Sequence, residues 1–116
     1  MSVLTLAWLK DIKKSVPFYV KLNGNEIGII QSGQQMQFDV GNGVFNLNLV
    51  PKASKWAGWK AVYIQAAPNN SNNPFIELSV IYNSPLSVVG FLSNSQLHVN
   101  SINGVNILRE EQYKEV

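Results

Sequence analysis

The sequence predicts an all-β protein, a single small antiparallel β-sandwich of about eight to ten strands over residues 1–116. Three observations carry that expectation. Apolar residues recur with a period of two, the spacing that puts alternate side chains on one face of a strand. The residues in those runs are mainly β-branched and aromatic, which fit a pleated, half-buried surface. Turn signals punctuate the chain about every 8–12 residues, the rhythm of a sandwich or small barrel.

At the N-terminus, Leu4, Leu6 and Trp8 alternate as a strand would, while Leu4, Trp8, Asp11 and Ile12 also fit a short helix. Val3 and Thr5 favour the strand. Pro17-Phe18-Tyr19-Val20-Lys21-Leu22 alternates next, with Phe18, Val20 and Leu22 on one face. Asn23-Gly24 follows and Glu26 to Ile30 resumes the pattern. This is a strong hairpin signal, because a type I′ turn needs positive φ at both central residues. Ser32-Gly33 turns the chain into Met36 to Val40, and Gly41-Asn42-Gly43 turns it again. From Val44 to Val50 the alternation is the cleanest in the chain, with Phe45, Leu47 and Leu49 inward and Asn46 and Asn48 outward.

Pro51 closes that block, and residues 52–59 read as an irregular crossover. Lys60 to Ala66 is a strand with Val62 and Ile64 on one face, Ala61 and Tyr63 on the other. Residues 68–74, bracketed by Pro68 and Pro74 around four Asn, read as a surface loop. Phe75 to Tyr82 is a strand, Asn83-Ser84-Pro85 a turn, and 86–92 an apolar strand covered on both faces. Ser93-Asn94-Ser95 reads as a turn. Residues 96–100 and 105–108 are then expected to form a last hairpin across Ile102-Asn103-Gly104. Within the short charged tail at 109–116, residues 109–115 are the remaining helix candidate, since Glu111 and Glu115 lie one turn apart.

Composition narrows the function classes. The chain has 116 residues, 46% hydrophobic, and a net charge of +2. That length is one domain, and normal apolar content with little net charge excludes disorder. Only 14% of residues are charged, against a usual ~25%, so the polar surface comes largely from amides and hydroxyls; Asn alone occurs 14 times. The absence of Cys removes disulfide scaffolds, cysteine zinc sites and thiol catalysis, and leans toward the cytoplasm. The apolar start precedes Lys10, Lys13 and Lys14, the reverse of a secretory signal, and is far short of a membrane span. The sequon Asn69-Asn70-Ser71 is therefore read as a chance match.

One stretch resembles a known family. Tyr19-Val20-Lys21-Leu22-Asn23-Gly24-Asn25-Glu26-Ile27-Gly28, then Gly33, then Phe38-Asp39-Val40-Gly41-Asn42-Gly43-Val44-Phe45-Asn46-Leu47, is similar to PEGA-like bacterial β-sandwich domains. In that family an Asn/Asp-Gly turn closes the first hairpin and a later glycine leads into the strand that closes the sheet. The likeness covers residues 19–47, with Gly41-Asn42-Gly43 where the family has a Pro-x-Gly turn and without the Pro-Glu-Gly-Ala signature. It implies a bacterial, non-catalytic module and carries over no catalytic residue.

Residues suited to catalysis are few. His98 is the only histidine, and alternation puts it opposite Leu97 and Val99 on the solvent face. A base of this kind needs a positioned acid and nucleophile, and no acid lies near it in sequence. Asp11, Glu26, Asp39 and Glu77 are scattered and make no metal set with one His, so no metal or other cofactor is expected. Gly41-Asn42-Gly43 lies between two strands without a following helix, so it is a turn and not a phosphate loop.

The one constellation worth weighing is Lys52, Lys55, Trp56, Trp59 and Lys60. Its indoles can stack bases or sugars while the ammonium groups hold anions. Trp8 with Lys10, Lys13 and Lys14 would extend it if the N-terminus lies nearby. The plainer reading, which the sequence favours, is that Trp56 or Trp59 closes an open end of the sandwich under lysine stems. A further hint is the cluster Gln31, Gln34, Gln35 and Gln37 around one turn. Neutral amide surfaces cost little to desolvate against another copy, and the sheet edges carry few lysines to guard them.

The expected function is thus a non-catalytic binding or assembly module, not an enzyme, whose partner is another protein or copies of itself. The alternative is a weak binder of an anionic polymer or surface (nucleic acid or acidic lipid) through residues 52–60. Glycan binding is a third reading, using the Trp faces with Asn and Gln donors.

Overall fold

Alternation along the chain becomes two stacked sheets in the computed structural model, which describes residues 2–10, 16–52, 59–69, 73–83 and 94–113. The nine strands are β1 (Val3–Trp8), β2 (Phe18–Leu22), β3 (Asn25–Ile30), β4 (Gln35–Asp39), β5 (Phe45–Pro51), β6 (Ala61–Pro68), β7 (Phe75–Asn83), β8 (Asn94–Asn103) and β9 (Val105–Tyr113). One sheet runs β4-β1-β7-β8 and the other β3-β2-β5-β6-β9. The fold is a small β-sandwich, and no helix occurs among the described residues. None there is long and apolar enough to cross a membrane.

The inward rows are the ones the period-two pattern picks out. Leu4, Leu6 and Trp8 of β1 face Phe18 and Val20 of β2 and Phe45, Leu47 and Leu49 of β5, all at most 2% exposed. Burying side chains of this size stabilises by roughly 1.5–3 kcal/mol each. The first hairpin is as expected: Asn23 and Gly24 have φ of 50° and 88°, both positive as a type I′ turn requires. Asn23 also locks the turn to β5, because its Oδ1 accepts the Asn46 amide at 2.9 Å.

Four expectations are corrected. The chain from 109 to 113 is strand, not helix, because β6 offers a full ladder from Gln65↔Arg109 to Ala61↔Tyr113. Such pairing overrides a local i, i+4 pattern that has no apolar face to bury. Asn94 and Ser95 are paired with Asn83 and Tyr82 in β8 rather than turned. Strands β8 and β9 both exist, but they do not form a hairpin. Gly104, at φ 70°, is the single residue between them, and it carries the chain from one sheet to the other. Finally, β1 pairs with β7 in parallel, so the sandwich is antiparallel in every described pairing but one. The expected strand 86–92 lies outside the described residues.

The edges show a pattern that lysine counting misses. Among the described residues, three of the four edge strands carry a bulge, and in each the extra residue belongs to the edge strand: Ile27 in β3, Asn100 in β8, Leu108 in β9. A bulge spoils the flat ladder that another chain would extend, so it guards an edge as a charge does. The fourth edge, β4, runs in unbroken register with β1.

Candidate functional site

The candidate constellation Lys52, Lys55, Trp56, Trp59 and Lys60 falls on the crossover after β5 and its end. Lys52 is exposed; its amide donates to the Pro17 carbonyl at 2.8 Å, and its Nζ stands 6.0 Å from the Tyr19 ring centroid. That is the outer limit of a cation–π contact. Trp59 is half-buried and meets Phe18 edge to face, 5.8 Å between centroids at 81°. On the other side of Phe18, Trp8 does the same at 5.6 Å and 79°. Phe18 is thus held between two indoles, one from each end of a column that ties β1, β2 and the crossover together. Edge-to-face pairs add about 0.5–1.5 kcal/mol beyond burial. Trp8 is only 2% exposed, so it offers no ring face to a ligand, and the extension of the site through Trp8 is overturned. Lys60 is half-buried. Lys55 and Trp56, with Lys13 and Lys14, lie outside the described residues.

A second surface is built from residues that sequence reasoning did not single out. On the outer face of the five-stranded sheet, Asn46 and Asn48 of β5 stand opposite Gln65 and Tyr63 of β6, which in turn stand opposite Arg109 and Glu111 of β9. The Tyr63 hydroxyl donates to Asn46 Oδ1 at 2.9 Å, and Gln65 Nε2 donates to the same oxygen at 3.4 Å. The Tyr113 hydroxyl donates to Asn48 Oδ1 at 2.9 Å. Both phenols lean the same way, each reaching a residue two positions off its direct partner. For Tyr113 the reach crosses β6 altogether. Ala61 directly opposite is small enough to let that ring lie down, and it is fully buried although it points away from the core. The result is a flat patch of ring and amide. Alternation puts Tyr63 opposite Val62, but no local pattern joins it, or Tyr113 in the segment read as a helix candidate, to Asn46 and Asn48.

The opposite outer face holds the polar groups nearest to catalytic types. Ser79 pairs directly with His98, and its Oγ lies 3.3 Å from Nδ1. Glu77 is two residues along β7, but its Oε1 accepts from Asn100 Nδ2 at 2.8 Å and from Ser101 Oγ at 3.3 Å. The acid therefore orients an amide and a hydroxyl, where a triad needs it to orient the imidazole. Among the described residues no three His, Cys, Asp or Glu side chains are grouped as metal ligands.

Electrostatics are weak. Arg109 Nη2 meets Glu111 Oε1 at 2.6 Å, with both side chains about half exposed. The hydrogen bond to Glu111, and then its charge, raise the arginine pKa further above its ordinary value. No family model, curated protein or solved structure matches this chain.

Proposed function

We propose that this chain is a non-catalytic binding and assembly module that works through preformed sheet surfaces and associates with copies of itself. The observation that carries this reading is the flank formed by β3 and β4. Strand β3 exposes Ile27 and Ile29, 39% and 42% accessible, while Met36 and Phe38 of β4 are half-buried against the core. Glu26 and Asp39 are the only ionisable side chains on the two strands. An apolar, nearly uncharged flank favours association, because little charge must be stripped of water. The likeness of residues 19–47 to PEGA-like domains supports a module without chemistry, and the lack of cysteine supports a cytoplasmic setting. Sedimentation velocity across a hundredfold range of concentration tests it. A concentration-dependent shift from a 12.9 kDa species to a larger one is expected, and a single unshifted monomer overturns the reading.

Glycan binding on the Tyr63–Tyr113 patch is the second reading. Rings laid flat on a sheet with their hydroxyls pinned offer their faces for stacking on sugar rings, and Asn and Gln amides supply fixed donors. Amide chemical-shift changes confined to β5, β6 and β9 on adding oligosaccharides support it. The anionic-polymer reading keeps Lys52 and Lys60 but has Trp59 engaged with Phe18. Binding to an oligonucleotide that collapses between low and moderate salt is its signature.

A further inference from the structure

The self-association proposed above has a structurally distinguishable route. We infer that two copies join by pairing β4 with β4 of the other copy, antiparallel and centred on Gln37, so that the four-stranded sheet continues across a two-fold axis.

The argument begins with the edges. Strands β3, β8 and β9 each carry a bulge, and β4 does not. It is also free of the lysine and proline that otherwise guard an edge; its residues are Gln35, Met36, Gln37, Phe38 and Asp39. Among the described strands, only this edge keeps an unbroken register that another strand can extend.

The backbone then fixes the register. The Trp8 amide donates to the Gln34 carbonyl at 2.9 Å, and the Val40 amide to the Ser2 carbonyl at 2.8 Å. In an antiparallel ladder the bonded pairs alternate. With Leu6↔Met36 and Leu4↔Phe38 in line with those bonds, Met36 and Phe38 turn their backbone groups toward β1. Gln35, Gln37 and Asp39 turn theirs away. Pairing Gln37 with Gln37 of the second copy, and Gln35 with its Asp39, uses every outward amide and carbonyl. Sliding by two residues leaves some of them unpaired.

The side chains agree with this register. Asp39 meets an amide rather than another carboxylate, so no like charges face each other. Met36 meets Phe38 of the second copy, a favourable sulfur–ring pairing. Strand β3 approaches at the same time, because it stacks on β4: a Cβ at Gly28 would lie 3.1 Å from Met36 Cε. A five-residue strand pair alone covers less than the ~1,200 Å² of a standard interface, so the association is weak and is sought at high concentration.

This inference rests on self-association, and the test separates the two. In sedimentation, Gln37→Lys sets two ammonium groups face to face at the two-fold and is expected to weaken association at least tenfold. Its melting temperature should fall only slightly, since Gln37 is exposed and loses only the bond from its Nε2 to Thr5 Oγ1 at 3.2 Å. Gln37→Cys, in a chain without other cysteines, is expected to form a disulfide dimer on mild oxidation. Bonded antiparallel pairs hold their Cα atoms about 5.5 Å apart, within the range a disulfide spans. Leu108→Cys, on the bulge of β9, is expected to stay monomeric. A parent dimer that Gln37→Lys leaves intact, or that cross-links through Leu108→Cys instead, overturns this edge while self-association stands. A parent that is monomeric at every concentration overturns both.

Discussion

Tyr113 and Asn48 sit on strands that do not pair, yet the Tyr113 hydroxyl donates to Asn48 Oδ1 at 2.9 Å across the full width of β6. The bond ties the last described residue of the chain to the middle of the five-stranded sheet. Because the site is exposed, the bond is worth the low end of the usual range, about 0.5–1 kcal/mol. Tyr113→Phe should lose that amount and Asn48→Ala no more than slightly above it. In a double-mutant cycle by urea denaturation the two losses should overlap; strict additivity would show that the hydroxyl and the amide act independently.

The type I′ turn gives a sharper contrast. At Gly24 the φ of +88° strains any side chain, although a Cβ there has nothing within 4 Å. At Gly28 the backbone is unstrained, and a Cβ would meet only the mobile end of Met36 at 3.1 Å. Gly24→Ala should therefore cost about 1 kcal/mol for conformation alone, and Gly28→Ala less. Thermal melts of the two variants settle the order, and the reverse order would mean that packing against Met36 outweighs backbone strain.

The column Trp8–Phe18–Trp59 should behave as core. Phe18→Ala removes a fully buried ring and its two edge-to-face partners and should cost about 3–5 kcal/mol. Trp59→Ala, at a half-buried position, should cost roughly half as much and leave the far-ultraviolet spectrum unchanged. A Trp59→Ala variant as stable as the parent would return this indole to the pool of ligand-binding candidates.

How much of this was legible in the sequence depends on the range of the interaction. Asn23-Gly24 declares its hairpin locally, and Phe45-Asn46-Leu47-Asn48-Leu49 declares its faces by alternation alone. The partners of a strand are not written beside it. Residues 96–100 and 105–108 look like a hairpin because they are neighbours, yet each finds a better partner, β7 and β6, in a different sheet. The parallel contact of β1 with β7 joins residues about seventy positions apart, as in Leu6↔Ile76, and no local pattern encodes it. For the same reason the outward Asn46 and Asn48 were visible, while the phenols that bind them were not.

Charge should matter little to stability. The Arg109–Glu111 pair is exposed, and such pairs are screened by water and salt. Arg109→Gln should leave the melting temperature within error of the parent. The sign of the arginine shift is upward, so whatever it contributes is present below the unfolded value and lost only as pH rises past the folded one. Both lie far above the range of ordinary buffers, so the guanidinium adds no pH dependence there. A large loss on Arg109→Gln would mean that the side chain acts by covering the sheet, as arginine stems can.

The C-terminal residues provide the strongest test of the fold. Read from sequence, 109–116 is a short charged tail. In the structure, 109–113 complete the ladder with β6, and Gln112 Nε2 crosses to the other sheet to donate to the Leu97 carbonyl at 2.8 Å. Deleting residues 109–116 therefore strips Ala61 to Gln65 of β6 of their β9 partners, removes the ring that covers Ala61 and leaves a half-buried carbonyl without its donor. With each lost hydrogen bond worth about 0.5–1.5 kcal/mol, the sum should exceed about 3 kcal/mol. That is a large share of the stability of a domain this size. The measurement is a urea melt of the truncated chain, read by circular dichroism. A midpoint equal to the parent's would restore the tail. A midpoint shifted far down, or a chain that no longer folds, places these residues in the sheet, and Gln112→Ala alone should then reproduce part of the loss.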